Sequence, residues 1–174
     1  MTTSPLETPL WTFSLATYSR DGVADECLGL QERVNLDVNL LLFAAFIGAV
    51  DGVRLDAKDI AAASAWVFDW HGEIVRSLRR ARRALKPASN DAENPLREAS
   101  ATLRVQVKAA ELEAEKIEQA MLWQWSRQQL ADRPRIDRDQ ALAANLNGAL
   151  KFYDAGADVA VPRLRDAAAG YPRS

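Results

Sequence analysis

Apolar side chains recur along this chain at the three- and four-residue spacing of a helix, and nowhere in the period-two alternation of a half-buried strand. The most sustained run is Asn94 to Leu130. There Leu103, Val107, Ala110, Ala114, Ile117 and Met121 step by four, three, four, three and four residues, a heptad seam about three repeats long. At about 100° per residue those six fall within roughly 40° of one line, with Arg104, Glu111, Glu115 and Glu118 along one flank. Asn94 is placed to cap the run, Pro95 suits the first helical position, and Glu98 sits near the positive end of the dipole. No glycine or proline follows until Pro134, so the stretch reads as one long helix.

The basic run before it, Glu73 to Lys86, has the same form. Ile74, Leu78, Ala81 and Leu85 make an apolar edge, and Arg76, Arg79, Arg80, Arg82, Arg83 and Lys86 take the rest of the circumference. Pro87 to Glu93 is a short polar connection, of the length that makes neighbouring helices antiparallel. The pattern predicts a hairpin in which some arginines answer Glu111, Glu115 and Glu118. Exposed pairs of that kind contribute only about 0 to 1 kcal/mol each, so they set register more than they stabilise.

Shorter helices precede and follow. Thr8 and Pro9 open one that runs to about Ser19, with Trp11, Leu15 and Tyr18 on its inner face. After Asp21 and Gly22, Val23 to about Val34 carries Val23, Cys27, Leu30 and Val34 inward. Leu36 to Val50 is apolar nearly all round, with Asp37 at its cap, and reads as a central core helix. Asp56 can cap a helix from Ala57 to about Trp70, with Ile60, Ala63, Val67 and Trp70 in step, and Gly72 allows a bend into the basic run. Beyond a break at Asp132 to Arg138, Asp137 or Asp139 caps a helix to about Asp154 with Leu142, Leu146, Ala149, Leu150 and Tyr153 in a stripe. A last helix, from about Val161 to Ala169, leads into a polar tail expected to fray.

The fold class expected is therefore all-α, a helical bundle built on a long antiparallel helical hairpin. One domain spans residues 1–174, with shorter core helices and the basic helix over 6–92, the long helix over 94–130 and the carboxy-terminal helices over 137–170. A 48% hydrophobic fraction suits a real core, and a formal net charge of −2 argues against a general polyanion binder. The single cysteine, Cys27, excludes a disulfide framework. Met1 to Leu10 lacks the charge and apolar core of a secretory signal, and Val38 to Val50 is too short to cross a bilayer, so the expected location is cytoplasmic.

Reactive constellations are thin. A carboxylate di-metal site of the bundle type wants two histidines, whereas this chain has only His71. His71 with Glu73 could serve as an acid/base pair, although a half-buried histidine with one hydrogen bond is the plainer reading. Cys27 has no cationic neighbour in sequence to favour its thiolate, and the glycines form neither a phosphate loop nor a dinucleotide fingerprint. Neither catalytic residues nor a cofactor nor a metal is expected. Three binding sets remain: Trp123 and Trp125 as an interface, Asn39, Phe43, Trp66 and Trp70 as an apolar ligand pocket, and Arg76, Arg79, Arg80 and Arg83 as a polyanion contact.

The stretches Trp11-Thr12-Phe13-Ser14-Leu15, Leu36-Asp37-Val38-Asn39-Leu40-Leu41-Leu42-Phe43, Leu78-Arg79-Arg80-Ala81-Arg82-Arg83-Ala84-Leu85-Lys86 and Val107-Lys108-Ala109-Ala110-Glu111-Leu112-Glu113-Ala114-Glu115 resemble an uncharacterised family of small proteobacterial helical proteins, a domain of unknown function. The likeness covers about Leu10 to Glu118; Ser77 and Ala81 depart from the proline and leucine associated with the start of the basic run. The resemblance implies a bacterial cytoplasmic helical protein, with no activity and no residue role to carry over.

The function expected is that of a non-catalytic helical protein acting through a protein partner or through self-association, a homodimer included. The alternative is a binder of an apolar small molecule between helices. Contact of the basic helix with nucleic acid comes third and a membrane role is not expected.

Overall fold

The computed structural model describes residues 4–172. The first three residues of the amino-terminal stretch and the last two of the polar tail lie outside the described residues. Among the described residues the regular structure is helical and no strand forms, apart from one isolated antiparallel bridge between Val53 and Arg135. The protein is all-α.

In chain order the helices are α1 (Pro9–Tyr18), α2 (Val23–Val34), α3 (Val38–Phe46), α4 (Ala57–Asp69), α5 (Arg76–Ala84), α6 (Lys86–Asn90), α7 (Arg97–Gln129), α8 (Arg138–Phe152) and α9 (Pro162–Ala169). Capping chemistry placed most of the starts. The Thr8 hydroxyl accepts from Trp11 N at 3.1 Å, Asp37 accepts from Asn39 N at 2.8 Å, and Asp137 accepts from Gln140 N at 3.0 Å. Asp56 accepts from the amides of Lys58 and Asp59. Those bonds, together with nearby cations, hold the Asp56 carboxyl below its ordinary range, the bond from Asp59 contributing most. Asn94 accepts from Leu96 N at 3.0 Å, and α7 begins only at Arg97.

Two compact units emerge, one of Met1–Trp66 with Gln119–Ser174 and one of Val67–Glu118. In the first, α3 is the centre, touching α1, α2, α8 and α9. All its residues from Asn39 to Phe46 are buried, as a helix apolar all round must be. Phe13 meets Phe46 and Tyr171 edge to face, at 5.5 and 5.0 Å between ring centroids. The inner face of α1 differs from the expected one: Leu15 is 51% exposed, while Leu10, Trp11, Phe13, Ser14 and Thr17 are buried. The Phe13 ring stack sets that rotation. Cys27 is a core residue, and burial, helped by the neighbouring Glu26 charge, pushes its thiol up to about 12.

After Phe46 the helix widens into a π segment, Ile47–Asp51. A π turn breaks the i to i+4 ladder and leaves backbone groups to be satisfied elsewhere. Asn145 on α8, fully buried, supplies the partners: its amide nitrogen donates to Ala44 O and Val53 O at 3.3 and 2.9 Å, and its oxygen accepts from Leu55 N at 2.7 Å. Gly48 makes the approach of α8 feasible, since a Cβ there would stand 2.5 Å from Leu142 Cα.

In the second unit the chain stays helical through Gly72, opening into a π segment over Trp70–Val75. The residues of α5 and α7 pair in opposite order along the chain. Arg79 donates to Glu111 and Glu115 at 3.1 and 2.7 Å, Arg82 pairs with Glu111, and earlier in sequence Trp70 Nε1 donates to Ala114 O at 2.9 Å. That order is antiparallel. The link between them is itself partly helical, as α6.

The facing lines are rotated from the expected ones. In α7 Glu111, Ala114 and Glu118 are buried, Val107, Ile117 and Met121 are half-buried, and Leu103 and Ala110 are exposed, Leu103 at 47%. In α5 Val75, just before it, is buried and Arg79 and Arg82 are half-buried, while Ala81 is exposed. Arginine is the cause: two guanidinium groups brought toward α7 need carboxylates, so α7 turns its acidic flank to them and its heptad seam lies to one side. Apolar periodicity had located the edges but could not say that an ion-pair row would run beside them.

Candidate functional site

The second unit presents the surface with the most unspent chemistry. Its hairpin is held by a network in which Glu111 accepts from both Arg79 and Arg82. Burial pushes the Glu111 carboxyl up, but the hydrogen bonds and charges of Arg82 and Arg79 outweigh it and hold the group below the ordinary range. The bond to Glu111 in turn raises Arg82. Behind this row His71 Nδ1 lies 3.2 Å from each carboxylate oxygen of Glu118, while Glu73 is exposed. A carboxylate partner of the histidine is therefore forty-seven residues on, and the Glu73 pairing suggested by sequence adjacency is not the one formed.

Away from the ion-pair row the hairpin shows large apolar side chains to solvent. Val105 is 67% exposed and Leu112 50%, on the side of α7 turned from the row, and Leu96 and Phe68 are exposed as well. Monomers scatter single apolar residues over their surfaces, but a group on one small helical unit is the usual mark of a contact surface.

The predicted site residues are distributed differently. Of the interface pair, Trp125 is buried and packs edge to face on Phe43 at 6.0 Å, and Trp123 is half-buried under the Arg127 guanidinium. Trp125 is a core residue. Of the pocket set, Asn39 and Phe43 are buried, and Asn39 Oδ1 accepts from Gln119 Nε2 at 2.9 Å. Trp66 is mostly exposed, and Trp70 is held by Ala114 O. Of the polyanion set, Arg79 is committed to Glu111 and Glu115, and Arg76, Arg80 and Arg83 are exposed. The apolar residues Val105 and Leu112 were missed because they fall off the heptad seam; with Ala109 between them they make only a short second stripe beside the longer one.

Among the described residues no helix is long and apolar enough to cross a membrane. No curated protein and no solved structure matches the chain. The family model described as "Protein of unknown function (DUF2390)" matches residues 9–122, more than half of the chain, and spans α1 to most of α7. The chain belongs to that family.

Proposed function

We propose that this is a non-catalytic cytoplasmic bacterial protein that works by binding another protein or a second copy of itself through the α5/α7 hairpin. One observation carries the reading: Leu103, Val105 and Leu112 stand exposed on α7 beside an ion-pair row that fixes the hairpin's shape. A rigid unit that leaves such side chains in water has surface to bury on association. The buried high-pKa thiol of Cys27 and the commitment of Arg79 and Arg82 to carboxylates fit a structural rather than a reactive use of these groups.

Light scattering with mass determination tests it. The full chain, alone and after incubation with extract of the cells that make it, is expected to run in a complex heavier than its 19.2 kDa. A monomer in both conditions would contradict the reading.

A further inference from the structure

Helix α5 already binds one acidic amphipathic helix. On its inner side Arg79 and Arg82 take the carboxylates of Glu111 and Glu115 on α7. Its outer side repeats that chemistry toward solvent, because Arg76, Arg80 and Arg83 step by four and three residues and are exposed. At about 100° per residue these three lie within about 60° of one another and about 100° around from the Arg79/Arg82 line. On α7, Val105, Lys108 and Leu112 likewise lie within about 60° of one another and about 100° around from Glu111, in the same rotational sense. In two antiparallel helices a shared sense of rotation from the facing line turns both groups to one side of the pair. The order of the ion pairs then sets Arg80 level with Leu112 and Arg83 level with Lys108. Glu115, which flanks Lys108 on α7, is taken by Arg79 at 2.7 Å.

We infer that this side of the hairpin is a docking surface for an acidic amphipathic helix of a partner protein. Its apolar edge lies along Val105 and Leu112, and its carboxylates meet Arg76, Arg80 and Lys108. Charge complementarity selects the sign of the partner, and the pairing of α7 with α5 shows that the same arginine spacing suits helical carboxylates. The two large apolar side chains select a protein over a nucleic acid, since a phosphate backbone has nothing to bury against them. This inference rests on the interaction reading above and names the partner's chemistry.

The probe is a fluorescein-labelled helix-forming peptide of Leu and Glu, with leucines spaced by three and four residues, titrated into the full chain and followed by anisotropy. A scrambled peptide of equal composition and a single-stranded oligonucleotide serve as comparisons. The patterned peptide is expected to bind, to weaken as salt rises, and to lose roughly tenfold in affinity both on Leu112→Gln and on Arg80→Glu, with the scrambled peptide weaker by a similar factor. Both substitutions lie at exposed positions, and an unchanged far-ultraviolet spectrum confirms that each variant folds. Equal binding of patterned and scrambled peptides, preference for the oligonucleotide, indifference to Leu112→Gln, or no binding each overturns the inference. If the chain nevertheless gains mass in extract, the interaction reading stands and only the named partner falls.

Discussion

Arg79 and Glu111 stand 3.1 Å apart, Nε to Oε1, with 12% and 7% of their side chains exposed, and they lie on helices that run in opposite directions. Because Glu111 also takes Arg82, one carboxylate ties two successive turns of α5 to α7. Replacing Glu111 by alanine leaves two half-buried guanidinium groups short of a partner. The expected loss is about 1.5–3 kcal/mol in urea unfolding, with Arg80→Ala, at an exposed position, within about 0.5 kcal/mol of the parent.

The same pair makes stability depend on pH. Glu111 is held below its unfolded value, so its contribution is fully present above the ordinary carboxylate range, about pH 4, and is lost as pH falls through the lower folded value. Urea midpoints are expected to drop below about pH 4, with the drop smaller in Glu111→Gln. A midpoint that rises on acidification would contradict the assignment.

Asn145 satisfies three backbone groups around the π segment, from positions 90, 92 and 101 residues away in sequence. Asn145→Leu keeps approximate volume and removes all three bonds, so an unfolding free energy lower by about 3 kcal/mol or more is expected. Gly48→Ala drives a methyl group into the α8 backbone at Leu142, for an expected loss of about 1–3 kcal/mol.

With its thiol buried and pushed up to about 12, Cys27 is expected to resist an aromatic disulfide reagent at pH 8 in the native protein and to react fully once urea unfolds it. Fast native labelling would contradict the core placement.

Trp125 and Trp123 should separate in solution. Trp125→Ala removes a core ring packed on Phe43, for an expected loss of about 3–5 kcal/mol, whereas Trp123→Ala is expected to cost clearly less. Thermal unfolding of the two variants checks the order.

Local chemistry made most of the fold legible. Val23–Val34 could be bounded to the residue because a glycine precedes it and its apolar side chains keep helical step, and the caps at Thr8, Asp37, Asp56 and Asp137 depend only on a side chain and amides two or three residues on. What was not legible depends on partners distant in sequence. The turn of α7 toward Glu111 follows from arginines some thirty residues earlier, and Asn145 looks like any helix asparagine until the carbonyls of Ala44 and Val53 arrive beside it. Leu15 fits a helical stripe as well as Phe13 does, and only the ring contact with Phe46 decides between them. For the candidate surface, the arginines could be named from sequence, but which of them remained at the surface could not, and the short step of Val105, Ala109 and Leu112 was overshadowed by the longer heptad seam.

The central claim, that the hairpin meets another protein, is tested most directly by photo-cross-linking inside the cells that make the chain, with a benzophenone side chain placed at Leu112, Val105 or Leu103 in turn and at exposed Phe152 as the reference. The account predicts a defined protein adduct from the hairpin positions and none from Phe152. Hairpin positions that give no protein adduct, or no more than Phe152 gives, would contradict it.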